Sequence, residues 1–215
     1  MAEIGGYIIT LIKNNWAILI PITLSLVAII FTAFKDFILP WFVKPKLQIT
    51  YEKGEPYKRQ ANINAGQNQL VVGFFDRFKI KNVGSETAKN CRCQIYSIIN
   101  EKGKELHLQG FPIKWASRPE SAIDFIKAER LNLAPGESEF VDLTNTRIDN
   151  VGYFYFQPYH NVPIGMDGQV TLKDYTLKII ISGDNFKPYF ATFEIDGHPK
   201  EKHILEIILK EVSRK

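Results

Sequence analysis

Between Lys13 and Lys35 the chain runs 21 residues, Asn14 to Phe34, without a charge; beyond residue 46 it breaks into short apolar runs separated by polar turns. The first pattern predicts a helix for lipid, reaching roughly 31 Å at 1.5 Å per residue, the thickness of a bilayer's hydrocarbon core. Trp16 at one end and Lys35, Phe37, Trp41 and Phe42 at the other have the character of interfacial anchors. Thr23, Ser25 and Thr32 can return their hydroxyls to the helix backbone. Pro21 falls early enough to be tolerated, and Pro40 and Pro45 mark the change to an extended linker. A cleaved signal peptide fits less well, because the run exceeds the usual ~7–15 apolar residues and no A-x-A-like site follows. The expected organisation is therefore a short tail over 1–13, a transmembrane helix with its interfacial end over 14–39, and a linker over 40–46.

The remainder reads as mainly β. Leu47 to Tyr51 alternates apolar and polar, and the polar stretch Gly54 to Gln69 reads as a loop. Leu70 to Lys81 is a long strand, followed by the turn Asn82-Val83-Gly84-Ser85. In the next strand Cys91, Cys93, Ile95, Ser97 and Ile99 are expected on one face, with Arg92, Gln94 and Tyr96 on the other, before a hairpin turn at Glu101–Lys104. Phe111 to Trp115 reads as a short edge strand because of Pro112, and Pro119 to Arg130 as a short helix or ordered loop. Further strands are expected at 131–133, 140–143, 153–156, 175–181 and 189–195. About eight strands between Gly, Pro and Asn turns predict an antiparallel sandwich over 47–197. The last segment, 198–215, has Ile204, Leu205, Ile207, Ile208 and Val212 at helical spacing, which predicts an amphipathic helix able to dock on a partner.

Charge sets the expected orientation and excludes one partner class. One basic residue, Lys13, precedes the apolar run, whereas Lys35, Lys44, Lys46 and Lys53 follow it, which favours a cytoplasmic domain. The two cysteines, Cys91 and Cys93, sit i and i+2 in a strand with side chains about 6.6 Å apart, too far for a disulfide, and suit a reducing compartment. The net charge of +4 is mild and no basic stripe is visible, so a nucleic-acid partner is not expected.

The run Phe78-Lys79-Ile80-Lys81-Asn82-Val83-Gly84-Ser85-Glu86-Thr87-Ala88-Lys89-Asn90-Cys91 resembles the CARDB-like group of immunoglobulin-like domains, in which a strand enters an Asn-x-Gly turn shortly before an Ala and the next strand. Leu133-Ala134-Pro135-Gly136-Glu137 resembles the Leu-x-Pro-Gly-Glu turn that follows in such domains. The resemblance implies an immunoglobulin-like sandwich and an accessory, adhesive or spacer role without catalytic residues.

The chemistry-bearing residues add no catalytic motif. His107, His160, His198 and His203 lack metal-ligand spacing, Cys-Arg-Cys is not a C-x-x-C pair, and no phosphate-binding or nucleophile-elbow motif is present. No cofactor or metal is expected. Candidate partner-binding residues are Trp115 and Arg118 in one loop, and Tyr153, Tyr155 and Tyr159 in an aromatic strand. These features predict a membrane-anchored, non-enzymatic interaction module, an accessory or scaffold subunit bound to lipid through 14–34 and to a protein partner. The alternatives are an extracellular adhesion or spacer module, or a ligand-sensing or enzymatic domain built on the sandwich loops.

Overall fold

The computed structural model describes residues 16–38, 43–64, 70–106, 108–118, 129–150, 152–156, 169–197 and 205–214. The chain divides into two compact units, Met1–Val43 and Lys44–Lys215.

Among the described residues the first unit contains one α-helix, α1 (Trp16–Ala33), continued by a π-helical turn over Phe34–Ile38. The hydroxyls of Thr23, Ser25 and Thr32 donate to the carbonyls of Ile20, Pro21 and Ala28 at 2.9, 2.7 and 2.8 Å. This meets the expectation for polar residues in an apolar helix. The length does not. Eighteen α-helical residues reach about 27 Å, and among the described residues no helix is long and apolar enough to cross a membrane. The expected span of 14–34 is thereby corrected: Asn14 and Asn15 lie outside the described residues, and Phe34 already belongs to the π turn.

The second unit is a β-sandwich of two antiparallel sheets. Twelve strands occur among the described residues: β1 (Leu47–Thr50), β2 (Lys58–Asn64), β3 (Leu70–Asn82), β4 (Ala88–Asn100), β5 (Pro112–Ile113), β6 (Leu131–Leu133), β7 (Ser138–Arg147), β8 (Tyr153–Tyr155), β9 (Gln169–Thr171), β10 (Tyr175–Ser182), β11 (Tyr189–Asp196) and β12 (Glu206–Arg214). The first sheet has the order β1-β3-β7-β8-β9, with β2 also on β3; the second has β12-β11-β10-β4-β5, with β6 also on β4. Their inward faces share one core. Phe78 of β3 meets Phe193 of β11 with ring centroids 5.3 Å apart, and Phe154 of β8 meets Tyr175 of β10 at 5.8 Å. The chain crosses between layers at β5. Ile113 pairs with Cys93 in the second sheet, and two residues later Trp115 bridges Val141 in the first.

The two turn motifs, some fifty residues apart in sequence, meet at Asn82. Its side chain is buried, yet it donates to the carbonyls of Glu86 and Leu133 (2.7 and 2.9 Å) and accepts from the amides of Gly84 and Lys46 (3.0 and 3.3 Å). Its backbone is bonded to Gly136 and Glu137 of the second motif at 2.7 and 2.9 Å. Gly84 is required by crowding, since a Cβ there would collide with the Lys44 carbonyl and the Lys46 amide.

Four expectations are corrected. The polar stretch read as a loop contains β2, an edge strand whose polar residues Lys58, Arg59, Gln60 and Asn62 suit a position paired on one side. In β4 a bulge at Tyr96 reverses the pleat, so Ile98 is buried and Ile99 faces out; alternation read straight through to Ile99 put the wrong isoleucine inside. The short strand β9 has no counterpart in the sequence reading. The largest correction concerns the C-terminus, where the amphipathic helix is instead strand β12, laid antiparallel on β11 with Asp196 opposite Glu206 and Tyr189 opposite Arg214. Leu205 and Ile207 enter the core, and a bulge at Lys210 lets the apolar residues imitate helical spacing. Burial against an open sheet edge outweighs the weak helix preference of such a segment. The expected helix or ordered loop at 119–130 lies mostly outside the described residues.

Candidate functional site

The concave feature of the second sheet is built by two adjacent rungs at one end of its outer face. In the first, Thr176 pairs with both Ile99 and Glu194, and Glu194 pairs with Ile208, so these four side chains cross β4, β10, β11 and β12 on one side. Ile99 and Ile208 are exposed. In the second rung Asp196 lies opposite Glu206, with Asp174 and Glu101 next to the paired residues Tyr175 and Asn100. Together they line an open groove of about 350 Å³. Gly197 allows the closure at this end, since a Cβ there would overlap the Lys173 backbone. The Gly197 amide donates to Asp174 Oδ1 at 2.8 Å.

The groove carries five carboxylates, Glu101, Asp174, Glu194, Asp196 and Glu206, in a chain whose net charge is +4. Lys210 pairs with Glu194 at 2.8 Å and Lys53 reaches Glu206 at 3.7 Å, both in exposed positions. Among the described residues no three or more His, Cys, Asp or Glu side chains are placed to hold a metal ion. The carboxylates are spread along rungs, an arrangement suited to accepting hydrogen bonds from several separate donors.

A second polar group lies inside the sandwich. Asp76 of β3 is completely buried; its Oδ1 accepts from Tyr51 at 3.1 Å and meets Lys58 Nζ at 3.2 Å, while Oδ2 has no partner. Thr144, opposite Asp76 on β7, likewise has a buried hydroxyl without a partner. Lys58 Nζ also donates to the Leu205 carbonyl at 2.6 Å, tying the first sheet to the start of β12. Burial raises the Asp76 carboxyl from 3.8 to about 6 against the opposing pull of Lys58, and burial with the neighbouring Asp76 charge raises the Tyr51 hydroxyl as well.

The residues singled out from sequence do not form one surface. Trp115 is fully buried and its Nε1 donates to the Glu129 carbonyl at 3.0 Å, so its ring fills the sandwich edge and is no docking surface. Arg118 is half-buried. Tyr153 is 38% exposed, whereas Tyr155 is half-buried, with the Arg147 guanidinium over its ring at 5.8 Å and its hydroxyl bonded to Asn150. Tyr159, Trp41 and Phe42 lie outside the described residues, as does the side chain of Phe37; Trp16 and Lys35 are exposed. Cys91 and Cys93 are unbridged and buried, and burial pushes the Cys91 thiol up to about 12 and Cys93 well above its ordinary value. Neither is a nucleophile at neutral pH.

The groove carboxylates had a partial signal in the sequence. A hairpin turning at Asp184-Asn185 brings Asp174 and Asp196 to the same end, but Glu206 joins them only once β12 is a strand. Comparison with models of protein families, with curated proteins and with solved structures found no match.

Proposed function

We propose that this chain is a membrane-anchored, non-enzymatic interaction module, an accessory or scaffold subunit whose immunoglobulin-like sandwich is held at a bilayer by α1. One observation carries the reading: α1 has no polar face, and its described large apolar side chains are exposed, from 47% for Ile20 to 68% for Phe31. A helix without a polar face has to be covered, and lipid covers all sides at once. The few ångström by which α1 falls short of the hydrocarbon core are met by local thinning and by snorkelling of a flanking residue such as Lys35. The order β1-β3-β7 in one sheet and β4-β10-β11 in the other matches the ABE and CFG strands of an immunoglobulin-type sandwich, and the meeting of the two turn motifs at Asn82 supports the CARDB-like resemblance. The unbridged cysteines and the lysines after α1 favour a cytoplasmic domain.

Reconstituted full chain should float with phosphatidylcholine vesicles in a density gradient. Changing Leu24 and Val27 together to arginine adds about 2.5–3.5 kcal/mol per residue at the helix centre and should leave the protein in the dense fractions. A doubly substituted chain that still floats would refute the anchor.

A further inference from the structure

We propose that the end of the sandwich from which the linker to α1 leaves lies against the anionic phospholipid headgroups of the bilayer. This rests on the anchor reading and adds a second lipid contact, made by the β unit itself.

The surface is assembled by the fold. Lys44 and Lys46 run beside the turn after β3, where their carbonyls accept from the amides of Ser85 and Val83 at 3.3 and 2.7 Å. Lys81 pairs with Gln48 near the end of the first sheet. The turn between β10 and β11, which carries Lys187, is tied to the start of β4: the Asp184 amide donates to the Lys89 carbonyl at 3.0 Å, and the Lys89 amide to Asn185 Oδ1 at 3.0 Å. Lys44, Lys46, Lys81, Lys89 and Lys187 are thus gathered at one end from three separate stretches of chain, and all five are exposed. Arg92 and Arg214 stand exposed on the adjoining last rungs of the second sheet. At and beyond these rungs the described acidic residues are Glu86, Glu137 and Asp184, so the positive sign prevails.

Two observations make a lipid surface the occupant. The first is position in the chain. Lys44 follows Ile38, the end of the π turn, by six residues, and six residues fully extended span at most about 22 Å. A bilayer that holds α1 therefore has this end of the sandwich within reach of its headgroups. The second is charge. The groove with its five carboxylates lies at the opposite end of the strands, so an anionic leaflet attracts the lysine end and repels the other. Val83, 44% exposed in the turn among the lysines, adds a short apolar contact at headgroup depth.

The test uses the full chain in phosphatidylcholine nanodiscs, with and without phosphatidylserine, each doped with a lipid carrying a nitroxide on its headgroup. Val83→Cys is labelled with a nitrobenzoxadiazole dye under native conditions, where the buried Cys91 and Cys93 stay unlabelled. Lys104→Cys, exposed in the hairpin at the opposite end, is the control. Because the nitroxide quenches only near contact, quenching at position 83 should be at least about twofold stronger with phosphatidylserine and fall back as salt is raised. Position 104 should not respond. The triple variant Lys81→Glu/Lys89→Glu/Lys187→Glu should lose the phosphatidylserine response. All three side chains are exposed, so it should keep the parent's unfolding temperature and its flotation with vesicles. Equal quenching at position 83 with and without phosphatidylserine, or an undiminished response in the variant, overturns the proposal while the anchor reading stands on flotation. Removal of the response by an oligoglutamate peptide at equal concentration would also overturn it, assigning this end to an acidic protein segment.

Discussion

Replacing Asn82 with alanine should remove about 3 kcal/mol of folding stability, although the residue sits in a turn and packs no large side chain. Four hydrogen bonds end on its amide group, and the alanine variant leaves the carbonyls of Glu86 and Leu133 and the amides of Lys46 and Gly84 without it. Each buried group abandoned costs about 1–3 kcal/mol, tempered where water can reach it at the turn. For a domain of this size the loss lowers the unfolding temperature by about 6–12 °C. Thermal unfolding of the full chain in detergent, followed by circular dichroism in the β region, measures it. A shift below about 2 °C would mean that the two motifs are held together by their backbones alone.

The second large effect is a reversed pH dependence. A buried carboxylate whose pKa lies below its unfolded value stabilises a protein as pH rises; Asp76 does the opposite. Its carboxyl is raised from 3.8 to about 6 because desolvation outweighs Lys58 and Tyr51. In the window between about pH 4 and 6 the folded chain therefore binds more protons than the unfolded one. The stabilisation is complete at the acid end and is lost as pH climbs through about 6. The groups facing the carboxyl are Lys58 on β2, Tyr51 after β1 and Thr144 on β7. The rise from 3.8 to about 6 corresponds to about 3 kcal/mol. Unfolding temperatures measured from pH 4.5 to 7.5 should fall toward neutrality in the parent relative to Asp76→Asn, which keeps the shape and cannot ionise. Parallel curves for the two proteins would contradict the account.

The legible part of this fold is the part governed by local pattern. The long strand from Leu70 to Lys81 with its alternating Phe78/Ile80 end, the Asn-x-Gly turn and the Leu-x-Pro-Gly-Glu turn each specify their own geometry, and each appears where expected. What could not be read depends on distant partners. β2 is polar and becomes a strand because β3 offers a free edge, while β12 carries a near-helical spacing that only the bulge at Lys210 reconciles with β11. The groove follows the same logic, since its carboxylates come from β11, β12 and the residues flanking β4 and β10, and acquire meaning from the register of those strands. Trp115 shows the converse. Its residue type suggested a binding anchor, but a chain that crosses between two sheets needs a large side chain to close the gap it leaves.

The account depends most on what surrounds α1. Spin labels placed singly at positions 20 to 36 of the full chain in lipid nanodiscs, with the buried Cys91 and Cys93 left unlabelled under native conditions, report collisions with oxygen, which concentrates in lipid, and with a water-soluble nickel chelate. The account predicts high oxygen and low chelate accessibility at every position from 20 to 31, with no 3.6-residue period, and a rise in chelate accessibility at Lys35 and Asp36. A helical period with one shielded face, or chelate reaching Leu24 to Val27, would show that α1 packs on protein or lies in water, contradicting the anchor.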